Sequence, residues 1–342
     1  MVTISPDLAA DLRAEPKLWA VTGAAGFIGS HLVEALLRLG QRVVGLDNFS
    51  TGHRRNLPDA PGFHLIEGDI RDPATCADAV AGAEVVLHHA ALGSVPWSMD
   101  DPRRTHEVNT TGFLNMLMAA REASCRRVVY AASSASYGSL DAVPAVEESI
   151  GDPLSPYAAS KTANEAYAGA FAEGFGLSSV GLRYFNVFGA RQDPEGPYAA
   201  VIPRWIATLL GGERVVINGD GETTRDFCHV ANVVTANLLA ATVELPAPHR
   251  VYNIACGEEI SLNRLLTEIR KGLSELGLET PAEPVHGPFR EGDVRRSRAG
   301  IGRGVAELGY RPEVGLAEGL ARAMPWYCAE AGVDLQGAGL SD

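Results

Sequence analysis

Basic side chains are scarce in this sequence: 29 Lys and Arg stand against 42 Asp and Glu, a formal net charge of −13. A nucleic-acid surface needs a basic stripe and anionic lipid attracts one, so neither partner is expected. Any phosphate the chain binds must be met by local arginines. Long apolar runs are missing too, and no stretch approaches the ~20 residues that cross a bilayer. Met1 to Pro16 carries Asp7, Asp11 and Glu15 where a signal peptide has an apolar segment, so the expectation is a soluble cytoplasmic protein. The five cysteines, Cys76, Cys125, Cys228, Cys256 and Cys328, are odd in number and form no Cys-x-x-Cys pair, which indicates neither a zinc site nor a disulfide framework. His88-His89 ends an apolar run with no Glu or His at metal spacing and reads as a strand end; no metal is expected. Internal repeats and low-complexity tracts are absent.

What is present is an ordinary globular mixture, 46% apolar and 21% charged, over 342 residues. That length favours one large domain with a smaller one appended. Lys17 to Thr22 reads as a strand, a glycine turn follows, and His31 to Leu39 has helical spacing before Gly40. Further apolar runs at Arg42 to Leu46, Phe63 to Ile66, Val85 to His88 and Arg127 to Ala131 alternate with helical stretches. Such alternation predicts an α/β fold with a parallel, doubly wound sheet. Arg104 to Arg121 and Tyr157 to Phe175 are long helical patterns with apolar faces beyond what the sheet needs, open to core packing or to a four-helix bundle with a second subunit. After Val180 to Arg183 glycine and proline increase, and short strands (Val215 to Ile217, Val251 to Ile254) alternate with helices (His229 to Val243, Ser261 to Leu276). Residues 17–180 are expected to form the sheet domain and 181–335 mainly the smaller one, with parts of the later chain returning to the sheet.

The chemistry is carried by Ser133, Tyr157 and Lys161. A tyrosine and a lysine four residues apart on a helix share one face, so the ammonium can favour the phenolate. Tyrosine ordinarily titrates near pH ~10, and work at neutral pH requires about 4 kcal/mol of differential interaction. Upstream, Thr22-Gly23-Ala24-Ala25-Gly26-Phe27-Ile28-Gly29-Ser30 follows a strand and opens a helix. That is the context of a Rossmann-type fingerprint, in which glycines let the backbone approach a pyrophosphate at the helix end. Asp47 lies 18 residues after Gly29 at a strand end, where a carboxylate accepts from the adenosine ribose hydroxyls. This favours NAD over NADP, with Arg54 and Arg55 as the residues that could argue otherwise. Asp69, after a third strand, is open to two roles, the adenine edge or a helix N-cap.

With these residues together, the chain resembles the extended short-chain dehydrogenases that modify nucleotide sugars, and among them the bacterial UDP-N-acetylglucosamine 4-epimerases of O-antigen and capsule pathways. The resemblance runs over nearly the whole chain, through Leu46-Asp47-Asn48-Phe49-Ser50-Thr51-Gly52-His53, Ala90-Ala91-Leu92-Gly93-Ser94-Val95-Pro96, Arg183-Tyr184-Phe185-Asn186, Asp220-Gly221-Glu222-Thr223-Thr224-Arg225-Asp226-Phe227 and Gly292-Asp293-Val294-Arg295. It implies NAD contacts from Gly23, Gly26, Phe27, Ile28, Asp47, Asn48, Ser50, Gly52, Asp69, Ile70, Ala90, Tyr157, Lys161 and Tyr184. It implies that Asn186 contacts the substrate diphosphate, that Ala200, Val201, Val216 and Asn218 line a uridine pocket, that Arg225 and Arg290 meet phosphates, and that Asp293 holds the uridine ribose. For either arginine alone a surface salt bridge is the other reading. Ser94 and Ser134 are placed near the sugar, Ser134 being equally readable as a strand end.

Ser297 falls where some epimerases carry a tyrosine that shields the sugar 2-position, so a serine leaves room for an N-acetyl group. Trp97 departs from the basic residue that close relatives carry after Ser-Val-Pro, which argues against acidic sugars. The implied reaction is reversible C4 epimerisation of UDP-N-acetylglucosamine through a 4-keto sugar with retained NAD, in a homodimer; UDP-glucose or a UDP-uronate is the alternative substrate. A 4,6-dehydratase would show an Asp-Glu pair where Ser134 and Ala135 stand, and a decarboxylase a glutamate. A simple dehydrogenase would consume NAD, and an NAD-sensing binding protein could dispense with the tyrosine or lysine.

Overall fold

The computed structural model describes residues 4–140, 142–195, 199–281, 283–289 and 294–335. The chain begins with helix α1 (Pro6–Ala14), capped by the Ser5 hydroxyl, whose Leu8, Ala9 and Leu12 are buried. Strand β1 (Leu18–Thr22), helix α2 (Phe27–Arg38), β2 (Arg42–Asp47) and β3 (Phe63–Glu67) follow, then α3 (Pro73–Val80) and β4 (Val85–His88). Helices α4 (Val95–Asp100), α5 (Pro102–His106) and α6 (Gly112–Glu122) lead to β5 (Arg127–Ser133), α7 (Pro156–Phe175) and β6 (Ser179–Tyr184). Beyond these lie α8 (Val201–Leu210), α9 (Val230–Thr242), β7 (His249–Ile254), α10 (Leu262–Glu275) and α11 (Leu316–Glu330).

The seven strands form one parallel sheet in the order β7-β6-β5-β4-β1-β2-β3. The order reverses between β1 and β4, and ligands of doubly wound sheets bind at such a switch point, outside the strands' carboxyl ends. Register puts the candidate residues on that edge, since Thr22 lies level with Leu46 and His88, and Ser133 with Tyr184. A parallel sheet must be covered on both faces. One face is covered with α2 and α9 around Leu32, Leu36, Val233 and Leu238, the other with α3, α6 and α7 around Phe113, Met116, Leu117 and Ala168. A third core, with Trp205, Ile206, Leu265, Ile269, Leu320 and Met324, joins α8, α10 and α11 beyond the sheet edge.

The helical pattern expected from Arg104 to Arg121 is not one regular helix. A π turn at Glu107–Thr111 separates α5 from α6. The extra residue turns Asn109 inward, where its amide donates to the Leu92 carbonyl and the Ser160 hydroxyl and accepts from the Leu92 amide. Hydrophobic spacing does not register such a bulge, because the apolar face resumes after it. Helix α7 starts with the Ser155 hydroxyl accepting from the Ala158 amide and Pro156 in the first turn, and it stops at Gly176 in the left-handed conformation.

Candidate active site

Close approach of backbone to backbone fixes the glycine turn. Gly23 has φ +67°, and a Cβ on it would lie 2.8 Å from the Ala90 amide nitrogen; a Cβ on Gly29 would lie 2.0 Å from the Gly23 carbonyl oxygen. Helix α2 therefore starts tight against β1, with Gly26 at its cap and no side chain on its first amides. Those amides face outward as an anion site, and the missing Cβ atoms form a cradle that a dinucleotide pyrophosphate fits. Asp47, buried, accepts from the Ala25 amide (2.9 Å) and the Phe49 amide (2.8 Å), so it braces the turn from the end of β2. Each oxygen keeps a lone pair for a ribose hydroxyl. Gly52 packs behind the turn, where a Cβ would lie 2.8 Å from the Ala25 carbonyl carbon.

The Thr22 hydroxyl accepts from the His89 and Ala90 amides, so its own proton goes to His88 Nδ1 at 2.9 Å. His89 Nε2 lies 2.9 Å from the Tyr184 hydroxyl, which also receives the Asn237 amide. Burial holds both histidines neutral, each pushed down to about 3. The pair thus fastens strand ends to one another.

A cavity of about 540 Å³ opens over this edge. Its lining brings together Gly23, Gly26, Phe27, Ile28, Asp47, Asn48, Ser50, Asp69, Ile70, Ala90, Ser133, Ser134, Tyr157, Lys161, Tyr184, Asn186 and Ala200. Of the two roles open to Asp69, the helix cap falls to Asp72, whose side chain accepts from Ala74 and Thr75. Asp69 instead takes a two-pronged contact from Arg71 and one from Asn48, and Arg71 holds its carboxyl down at about 2. Arg54 pairs with Glu67 and Arg55 with Glu330, so both are turned to carboxylates of the chain itself. Ser94 does not line the cavity; its hydroxyl caps α4 by accepting from the Trp97 amide.

At the catalytic corner the Ser133 hydroxyl accepts from the Ala135 amide at 3.1 Å. Lys161, 4% exposed, donates Nζ to the Ala131 carbonyl at 2.7 Å and lies 5.8 Å from the centre of the Tyr157 ring. The Tyr157 pKa of the chain by itself answers to two influences. Burial raises it, and the hydrogen bond with Ser133 acts against that rise. Burial also brings Lys161 down to about 8. One helical turn beyond Lys161, half-buried Glu165 accepts two contacts from the buried Arg183 guanidinium at 2.9 and 2.7 Å, seating α7 on β6. Among the described residues the carboxylates lining the cavity are Asp47 and Asp69, at the ends of β2 and β3; beside Tyr157 stand Ser134 and Ala135.

A second cavity of about 280 Å³ shares Asn186, Val187, Gln192 and Ala200 with the first, so the two form one trough. It gathers Asn186, Ala200, Val201, Val216, Asn218 and Arg225. Arg225 donates Nη1 to the Thr224 and Val294 carbonyls, 2.7 Å each. Its neighbour Asp226, fully buried, accepts from the Cys256, Gly257 and Ala299 amides and ties three distant segments together. Ser297 is half-buried and lines neither cavity, while Arg290 and Asp293 lie outside the described residues. Arg104, Gln192, Arg204, Trp205 and Phe227 line the trough without having been singled out from the sequence. Arg204 and Trp205 come from helix α8, which also brings Val201 and Ile202 to the cavity. Asn109 carried no signal, because its position depends on the π turn.

Comparison with known proteins decides the family: the NAD dependent epimerase/dehydratase family matches residues 19–255. The chain belongs to that family. It is 40% identical over 313 residues to a UDP-glucose 4-epimerase of Mycolicibacterium smegmatis, covering 90% of this chain and 97% of the relative. Among solved structures it is similar to the UDP-glucose 4-epimerase of Thermotoga maritima with UDP-glucose, at TM-score 0.85 and 34% identity, covering 92% and 99% of the two chains. It is also similar to a UDP-N-acetylglucosamine 4-epimerase from Methanobrevibacter ruminantium in complex with UDP-N-acetylmuramic acid, at TM-score 0.87 and 37% identity over the same shares. As a member of an NAD-dependent epimerase family with that Rossmann-type sheet, the chain takes NAD as its cofactor.

Proposed function

We propose that this member of the family is a UDP-hexose 4-epimerase, with UDP-glucose and UDP-galactose as its principal pair. The observation that carries the reading is the joined trough, in which Ser133, Tyr157 and Lys161 at one end meet Asn186 and Ala200, and these continue to Arg225 at the other. NAD, when bound, supplies a hydride acceptor that returns what it takes. Tyr157 as phenolate removes the proton of the sugar 4-hydroxyl while C4 loses its hydride, leaving a 4-keto sugar and a neutral phenol. Ser133 hydrogen-bonds the same oxygen, and the Lys161 ammonium opposes the burial that disfavours the phenolate. After the keto sugar presents its other face, Tyr157 gives the proton back as the hydride returns. Net redox change is zero, so the cofactor stays in place.

Residues 17–180 bind the cofactor and 181–335 mainly the UDP-sugar, with β7 returning to the sheet. Dehydration lacks support because, among the described residues, no carboxylate stands beside Tyr157 in the trough lining. UDP-N-acetylglucosamine is the second reading, favoured by what the Methanobrevibacter relative acts on. We place the enzyme in the cytoplasm as a dimer through α6 and α7; among the described residues no helix is long and apolar enough to cross a membrane.

Proton NMR of the purified protein with UDP-glucose or UDP-N-acetylglucosamine, without added NAD, tests this. UDP-galactose is expected to form, and the faster of the two conversions names the principal substrate. Tyr157→Phe is expected to slow turnover by roughly a thousandfold while UDP-sugar binding persists. Full activity of that variant overturns the assignment.

A further inference from the structure

Among the described residues three cations line the main cavity, and they differ in how they are engaged. Arg71 is held by Asp69. Lys161 is fixed on the Ala131 carbonyl. Arg104 is exposed, and its guanidinium makes no ion pair among the described residues; it lies over the Trp97 ring, 5.4 Å from the ring centre. A guanidinium stacked on indole keeps its charge and its edge donors while losing freedom of orientation, so fewer rotamers are given up when an anion arrives. Trp97 therefore holds a cation where the sequence shows an aromatic in place of a basic residue.

The anion that this cation suits is the one lodged at the glycine turn. Residues 22–30 contribute no charged side chain, and the carboxyl that braces the turn, Asp47, has the wrong sign for a pyrophosphate. Helix α2 offers about half a unit of positive charge against two negative ones. Arg104 lines the cavity that contains this turn and is absent from the lining of the cavity that contains Arg225. Helices α4 and α5, which carry Trp97 and Arg104, both pack on α7, the helix of Tyr157 and Lys161. We propose that Arg104, oriented by Trp97, is a binding residue for the diphosphate of the dinucleotide and sets how firmly the cofactor is retained. This rests on the proposed function only in requiring a retained cofactor.

The test measures NAD carried through purification and its rate of loss on dilution, at low and high salt, for the wild type, Arg104→Gln, Arg104→Lys and Trp97→Leu. Arg104→Gln is expected to lose NAD about tenfold faster, the size of one charge-assisted contact, and to show a flatter salt dependence. Arg104→Lys should fall between, and Trp97→Leu should shift in the same direction by less. Wild-type retention in Arg104→Gln overturns the proposal. So does intact retention with a selective loss of UDP-glucuronate binding, which would assign the guanidinium to a sugar carboxylate. Retention is read without turnover, so a wild-type protein inactive on every UDP-hexose would sink the epimerase reading and leave this one standing.

Discussion

The two ends of the trough are built differently. At the cofactor end, the ends of neighbouring parallel strands and one glycine turn place the groups, and contacts such as Gly29 against Gly23 span a few residues. At the substrate end, pairs of very short strands join distant segments: 187–188 with 228–229, 224–225 with 260–261, and 216–218 with 285–287. Asp226 then bolts 226 to 256–257 and 299. Rigidity in the first case comes from backbone meeting backbone, and in the second from side chains bridging loops. The cofactor end should therefore tolerate almost no added volume, whereas the substrate end should yield.

Alanine at one glycine in each half tests that contrast directly. Gly29→Ala sets a methyl 2.0 Å from the Gly23 carbonyl oxygen, and only movement of the turn relieves it. The expected result is loss of copurified NAD and a destabilisation of roughly 1–3 kcal/mol, the usual range for overpacking. Gly219→Ala meets the Phe289 ring at 2.3 Å, a side chain that can swing away, so the remaining cost is the φ of +75°, about 1 kcal/mol. Thermal melts with bound-NAD assays check both. Equal losses would remove the contrast.

Legibility from sequence follows the same division. The β1-turn-α2 unit and the apolar strands of the parallel sheet could be anticipated because glycine spacing and apolar runs act locally. Asn186, Ala200, Val201, Val216, Asn218 and Arg225 were placed through a resemblance, since no local pattern brings residues 186, 216 and 225 to one wall. Arg104 and Asn109 were not legible at all. Each depends on where α5 ends and the π turn begins, and hydrophobic periodicity averages over such a bulge.

Lys161 probes the boundary between the halves with a smaller effect. Its pKa lies at about 8, below the ordinary ~10.4, so between those pH values the unfolded chain holds a proton that the folded chain has released. Stability of the NAD-free protein should then rise as pH climbs through that window, and burying the ammonium costs folding energy at pH 7. Lys161→Met abolishes that rise, and after the lost Ala131 hydrogen bond it should stabilise the NAD-free protein by about 1–2 kcal/mol at pH 7 while removing activity. Melts across pH 7 to 10 decide it; a destabilised variant at pH 7 would mean that Lys161 acts chiefly as a structural donor.

The smallest effect is expected where the cofactor end meets solvent. An arginine beside the adenosine ribose would ordinarily favour a 2′-phosphate, yet Arg54 sits over the Phe49 ring and pairs with Glu67, and Arg55 reaches Glu330. Both guanidinium groups are paired with exposed or half-exposed partners of the same chain, while Asp47 stays behind the turn, bonded to the Ala25 and Phe49 amides. Replacing both arginines with alanine should shift the preference for NAD over NADP by less than about twofold, because a paired, water-screened charge contributes little to its surroundings. Competition binding with the two dinucleotides would show it. A marked turn further toward NAD would mean that the pairs open when a ligand arrives, and the rigid cofactor end would then have one yielding edge.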